Sequence, residues 1–367
     1  MKITRLRAFQ LPLLLKEGSY SWGTQSYAAF DSTVVLVDTD EGLTGAGEIC
    51  ALGPAYMPSF AEGAAAGIGV MAPGLMGVDP TAVDVVNHRM AELLKGHPYA
   101  KSAVDMACWD LLGKATGRPV YQLLGGSFSE RVRLFRVISR DAPQAMVERL
   151  IEYREEGFVQ FQMKVGDDAQ LDIERMRAVA AQKLETETIA ADANTSWRQH
   201  EGMRVVAAVD DLPLYLEQPC ATLEECLVLR KASSRPFILD EVIDSKRALL
   251  TAAAAGAMDV INLKISRFGG LTGARQARDL AVELGITMTI EDTWGGEIAT
   301  AAIAHLARST PPGFHFQSSA FHDYNTTVIA DGGPRVADGH MTIEDDPGLG
   351  VTPDLAILGD PIIDISA

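Results

Sequence analysis

The chain has 367 residues, 47% of them hydrophobic and 22% charged, with a formal net charge of -17. That length exceeds what one hydrophobic core usually supports and predicts two domains, while the negative field excludes nucleic acid and anionic membrane as partners but not a small anion held by a local metal. Four cysteines without a CxxC pair, an N-terminus with no signal-peptide core and no apolar run near ~20 residues point to a reducing cytoplasm, no zinc site and no membrane span.

In chain order, Lys2–Phe9 and Thr33–Asp38 read as strands, with Asp40-Glu41-Gly42 as the turn behind the second and Gly45-Ala46-Gly47-Glu48 after it. This is a strand meander and not a βαβ unit. Two loops accompany it: Glu17–Gly23 with Tyr20 and Trp22, and Leu52–Tyr56 with Gly53 and Pro54. Aromatic loops of this kind either clasp a ligand or pack on the body of the protein. Helical patterning then runs from Phe60 to Gly117, where Ala103 and Ala107 fit a tightly packed helix and Gly117-Arg118-Pro119 ends it. Strands followed by helices form an α+β unit, expected to span residues 1–125 with its boundary near Gly125-Gly126.

From there, apolar and β-branched runs alternate with helical ones. The runs are Leu134–Ile138, Phe161–Val165, Thr188–Asp192, Leu214–Glu217, Phe237–Asp240, Val260–Lys264 and Ile286–Ile290, with a weaker eighth at Gly313–Gln317. The successive intervals from Lys164 to Asp192, to Glu217, to Asp240 and to Lys264 are 28, 25, 23 and 24 residues. Each interval holds one helix and the next strand, which is the beat of a parallel (β/α) barrel. The barrel is expected over residues 126–329. The tail, 330–367, has Gly and Pro turns but no such beat, and is expected to fold back onto the first domain.

Polar residues stand at the C-terminal ends of these strands, where such a barrel builds its chemistry. A strand period of two puts Gln162 with Lys164, Asp192 with Asn194 and Asn262 with Lys264 on one face. Asp192, Glu217 and Asp240 come from three successive strands ~4.8 Å apart and can converge on a hard cation. Oxygen ligation with open positions suits Mg²⁺. Taken singly, each carboxylate could instead cap a following helix or end in a salt bridge. Lys164 and Lys264 lie nearly opposite each other, so a substrate between them would meet one amine on each face. Buried near a divalent cation and other cationic groups, a lysine loses its proton readily and can act as a base, though both could simply neutralise the carboxylates.

With these residues in place the chain resembles the enolase superfamily, in the subgroup of muconate-lactonizing enzymes, along its whole length. The resemblance implies an α/β fold: a modified TIM barrel, (β/α)7β, with an α+β N-terminal capping domain completed by the C-terminal tail. It implies Mg²⁺ on Asp192, Glu217 and Asp240, with Glu241 and Asn262 in support, and Lys164 and Lys264 as the acid/base pair. The shared step would be removal of the proton α to a carboxylate, with the metal holding the dianionic intermediate. The subgroup's Lys-x-Lys motif begins here with Gln162, which argues against lactonization and succinylbenzoate synthesis but spares Lys164. The mandelate racemase branch needs a histidine at the end of the seventh strand, where this chain has Glu291-Asp292.

Gly53–Tyr56, Gly96–Lys101, Glu217–Cys220 and Asp292–Gly296, together with Gln162, are similar to a narrower branch acting on proline derivatives. Its activities are cis-3-hydroxy-L-proline dehydration and 2-epimerization of proline betaines. In that reading Asp292 suits the ring nitrogen, or else caps the helix beginning near Glu297. Gln162, Asn194, Trp294, Tyr56 and Trp22 are the other expected substrate contacts. A quaternary betaine nitrogen wants aromatic faces, and Phe314–Phe321 contains no Trp, leaving Trp294 as the one nearby. This favours a secondary amine and dehydration. The expected partners are a small carboxylate substrate and further copies of the chain. A non-catalytic metal-binding scaffold should have lost a lysine or a carboxylate, and none is lost.

Overall fold

The computed structural model describes residues 1–22 and 25–367. Gly23, the last residue of the expected aromatic loop, lies outside them. The N-terminal strands are β1 (Ile3–Leu14), β2 (Tyr20–Trp22), β3 (Gln25–Tyr27), β4 (Ala29–Thr39) and β5 (Thr44–Cys50). β1, β4 and β5 pair antiparallel in one sheet, and β2 pairs with β3 separately. β1 continues to Leu14 instead of stopping at Phe9, passing through Pro12. The Ala8 carbonyl accepts from Ile362 N at 2.8 Å and so faces the outer edge. Period two turns residue 12 to that same edge, where the missing N–H costs no ladder bond, while Leu11 and Leu13 are buried.

Helices α1 (Ala61–Met71), α2 (Val83–Leu93) and α3 (Pro98–Thr116) share one apolar core with this sheet. α3 lies directly on β5. A Cβ at Gly45 would stand 2.2 Å from the Ala107 carbonyl oxygen, and one at Gly47 1.9 Å from that of Ala103, so only glycine admits the contact.

After α4 (Val120–Leu123) and the short β6 (Val132–Arg133), strands and helices alternate. They are β7 (Arg136–Ile138), α5 (Pro143–Glu155), β8 (Gln160–Lys164), α6 (Ala169–Ala180), β9 (Thr188–Asp192) and α7 (Gln199–Val209). There follow β10 (Tyr215–Glu217), α8 (Leu223–Ala232), β11 (Phe237–Leu239), α9 (Lys246–Ala254), β12 (Val260–Lys264), α10 (Leu271–Glu283), β13 (Thr287–Glu291), α11 (Glu297–Arg308) and β14 (His315–Ser318). β7 to β14 pair in sequence order and all parallel. A bridge from Leu134 to Ser318 brings the two outer strands together, giving the modified TIM barrel.

The tail divides instead of folding wholly onto the first domain. Arg335–Ala337 and His340–Thr342 form a hairpin that pairs with the free edge of β6. Ile363–Ser366 joins the N-terminal sheet, antiparallel to β1.

Two buried carboxylates of the capping domain fasten it to the barrel. Glu48 on β5 accepts from Gly296 N at 2.7 Å and Ala299 N at 2.9 Å, at the start of α11. Asp105 on α3 accepts from Thr272 N at 3.0 Å and Thr272 Oγ1 at 2.6 Å, at the start of α10. Neither helix has a side-chain cap at its own N-cap residue. The first-turn N–H groups and the positive helix end are therefore satisfied across the interface. All four cysteines are buried with free thiols. Among the described residues no helix is long and apolar enough to cross a membrane.

Candidate active site

The strand ends bring the polar residues to one place. Lys164, Asp192, Glu217, Lys264 and Glu291 are the last residues of β8, β9, β10, β12 and β13, and Asp240 follows β11 directly. Parallel registry sets Lys164 beside Asp192, Asp192 beside Glu217, and Lys264 beside Glu291. All are buried, because the capping domain roofs this end of the barrel.

Each carboxylate of the expected trio carries a donor. Lys164 Nζ is 2.6 Å from Asp192 Oδ2, and Lys264 Nζ is 2.8 Å from Asp240 Oδ2. Glu217 Oε1 accepts from Gln162 Nε2 at 2.8 Å and Asn262 Nδ2 at 2.6 Å. Asp240 Oδ1 also accepts from Arg267 Nη1 at 2.8 Å, and Asn194 Nδ2 donates to Glu241 Oε1 at 3.1 Å. Burial alone would lower the lysine pKa values, but Asp192 beside Lys164 and Asp240 beside Lys264 outweigh it and hold both well above the ordinary range. In this arrangement the nearest charge to each lysine is a carboxylate and not a cation. Despite burial, Lys264 and Arg267 hold Asp240 well below the usual carboxylate range. Burial and then Asp192 push Glu217 up.

No group of three His, Cys, Asp or Glu side chains among the described residues is gathered as a ready metal cage. Two of the three expected ligands are instead covered by ammonium groups. The donor chemistry nevertheless fits a hard cation. Glu217 Oε2 and Glu241 Oε2 are buried without a partner, and burial followed by Asp240 pushes Glu241 up. A divalent cation relieves such a concentration of oxygen and negative charge.

Over this network lies a small pocket. Lys164, Lys264, Gln162, Asn194 and Asp192 line its floor, and Tyr20, Trp22, Tyr56 and Phe321 give it aromatic walls. Trp22 and Tyr56, two of the expected contacts, reach it from the capping domain together with Tyr20. Gln162 reaches the cavity, with one of its two amide N–H groups given to Glu217.

Two expected contacts lie elsewhere. Asp292 faces away from the cavity: it accepts from Ser266 N at 3.0 Å, from Ser266 Oγ, and from Thr293 N at 2.8 Å. It does not cap α11 either, since Glu48 does. Trp294 is 1% exposed and stacks on Phe321 with ring centroids 4.4 Å apart, its Nε1 donating to Asn325 Oδ1 at 3.0 Å. It supports the wall from behind. The pleat decides the first outcome: Glu291 pairs with the inward Lys264, so Asp292, the next residue, points outward. Glu291 and Arg267 were missed as site residues. Counting two residues along the strand from Thr289 would have found Glu291, while no local signal marks Arg267.

The model of the mandelate racemase / muconate lactonizing enzyme N-terminal domain matches residues 17–125, and that of the enolase C-terminal domain-like fold matches residues 145–357. Over 363 residues, covering 99% of each chain, the sequence is 52% identical to cis-3-hydroxy-L-proline dehydratase of Roseibium aggregatum. The structure is similar to a crystal structure of a mandelate racemase/muconate lactonizing enzyme from Roseovarius nubinhibens ISM, with a TM-score of 0.97 at 40% identity, covering 100% of this chain and 99% of that one. A second structure from that organism, complexed with magnesium, matches with a TM-score of 0.96 at 33% identity and 100% of both chains.

Proposed function

Because the chain belongs to the mandelate racemase/muconate lactonizing enzyme group of the enolase superfamily, we propose that it removes the proton α to a carboxylate and eliminates water, as a cis-3-hydroxy-L-proline dehydratase. The observation that carries this reading is the pair of lysines, Lys164 and Lys264, lining one small cavity from strands on different sides of the carboxylate trio. Asp192, Glu217 and Asp240 are the residues proposed to hold Mg²⁺, which when bound supplies fixed positive charge for the substrate carboxylate and for the charge developing on it.

In cis-3-hydroxy-L-proline the hydroxyl shares a ring face with the carboxylate, so the α-proton lies on the opposite face and the elimination is anti. One lysine takes the α-proton. The Cα–H electron pair moves into the carboxylate and then forms the Cα–Cβ double bond as the Cβ–O bond breaks. The other lysine, as an ammonium, gives its proton to the departing hydroxyl, and water leaves. The resulting enamine tautomerises to a pyrroline carboxylate. Asn262 and Gln162 hold Glu217 in place, and the aromatic roof excludes bulk water.

The aromatic walls favour a second reading, 2-epimerization of a proline betaine, in which the second lysine returns a proton to carbon. Incubating the protein and Mg²⁺ with either compound in D₂O, followed by proton NMR, separates the two. Loss of the hydroxyl supports dehydration, and deuterium at Cα without elimination supports epimerization. No exchange with either compound removes the proline reading.

A further inference from the structure

Glu291 is a carboxylate that the barrel turns into the cavity without giving it a hydrogen-bond donor. Its in-register pairing with Lys264 sends both side chains from the same face of the sheet. Glu291 is 3% exposed, and it lines the cavity. Among the described residues its carboxylate makes no hydrogen bond, and its ion-pair partner, Lys264 Nζ, stays 3.6 Å from Oε1. Burial pushes its pKa up, and Lys264 only partly offsets this. A buried acceptor left open toward a cavity carries a cost that a ligand donor removes.

The other acceptors on the cavity wall are less suited to a cation. Asp192 already accepts from Lys164 Nζ and from Asn194 N, at 2.6 and 2.8 Å. Asn194 Oδ1 is buried and unpartnered, but it is neutral and makes the weaker bond to an ammonium.

We propose that Glu291, and not the neighbouring Asp292, is the specificity residue that accepts the ring N–H of a cyclic secondary-ammonium α-carboxylate; this rests on the proline-derivative reading of the same site. A quaternary nitrogen has no N–H to donate, so Glu291 discriminates the secondary amine from the betaine. Tyr20, Trp22, Tyr56 and Phe321 then face the ring carbons.

The test is calorimetric binding of L-proline and cyclopentanecarboxylate to the Mg²⁺-loaded protein, two ligands that differ by the ring nitrogen. Wild type should prefer L-proline by at least about 10-fold, and E291Q should reduce the preference to within about 2-fold. Cyclopentanecarboxylate should bind E291Q and wild type alike, which also reports that the variant is folded. A variant-free series on wild type, from L-proline through N-methyl-L-proline to proline betaine, should lose at least about 10-fold in affinity as the N–H groups are removed. Retained preference in E291Q, or a betaine bound as tightly as L-proline by wild type, overturns the proposal. Turnover of cis-3-hydroxy-L-proline by wild type is measured separately. Its absence overturns the dehydratase reading, whereas turnover with an unchanged E291Q preference overturns the role of Glu291 alone.

Discussion

Tyr56 Oη donates to Asp240 Oδ2 at 2.9 Å, so a phenol carried by the capping domain closes on a carboxylate at the end of a barrel strand. The same oxygen accepts from Lys264 Nζ and from Arg267 Nη2, the latter at 3.3 Å. Burial and then Asp240 raise the phenol's pKa well above its ordinary value, which keeps it a neutral donor. One hydroxyl thus links the seating of the capping loop to the lysine.

Tyr56→Phe keeps the ring and deletes that link. Loss of hydrogen bonds to charged groups, worth about 1.5–3 kcal/mol, should lower kcat roughly 10- to 100-fold with the fold intact. Steady-state kinetics and a melting curve check this. An unchanged kcat would place the phenol outside the reaction.

Lys164→Ala and Lys264→Ala should each cut turnover of cis-3-hydroxy-L-proline by roughly 10²–10⁴-fold, the usual contribution of a positioned acid or base. Retained turnover in either variant contradicts the two-lysine reading.

Chelation should abolish turnover, and Mg²⁺ should protect the fold. At about 100 times its Kd, a ligand that binds only the native state adds ~2.7 kcal/mol, readable as a rise in melting temperature. Glu217→Gln removes a charge whose outer oxygen has no partner in the structure, and it should lose that rise. A variant that keeps the Mg²⁺-dependent rise would count against Glu217 as a ligand.

Glu48 makes stability depend on pH. Burial pushes its pKa up to about 7, against the lowering effect of the Gly296 and Ala299 N–H groups. Because the folded value exceeds the unfolded one, its contribution is fully present below about pH 4.5 and is lost as pH rises through about 7. The loss is at most about 3 kcal/mol. In Glu48→Gln that part of the slope should vanish, as followed by denaturant midpoints between pH 4.5 and 8; an identical slope in the variant would show that Glu48 does not titrate there.

Gly47→Ala drives a methyl group to 1.9 Å from the Ala103 carbonyl oxygen and should cost about 2 kcal/mol or more. Gly69→Ala on α1 meets only Ile363 Cδ1 at 3.5 Å, and should be neutral or stabilising by up to ~1 kcal/mol. Chemical denaturation of both variants separates a close backbone contact from simple helix propensity. Equal stabilities would refute the steric argument.

Much of the barrel was legible because its signals are local. A strand is a short apolar run with period two, and the helix that follows has its own period, so alternation and spacing appear along the chain without any knowledge of contacts. Lys164, Asp192, Glu217, Asp240 and Lys264 could be placed at strand ends for that reason. The end of β1 was obscured by Pro12, since nothing local says which edge of a strand is unpaired. The course of the tail was equally hidden, because the edge of β6 that takes up its hairpin belongs to a segment some 200 residues earlier.

The sequence by itself thus determined the alternating architecture and which strands carry charge at their ends. Only the tertiary structure decided the partners: Glu48 and Asp105 as caps for barrel helices, Tyr56 and Arg267 on Asp240, and Glu291 instead of Asp292 toward the cavity. The physical reason is that adjacent residues of a strand face opposite ways, and a register shift of one residue exchanges them. Pairing between strands and docking between domains fix that register, and neither is written in any single stretch of the chain.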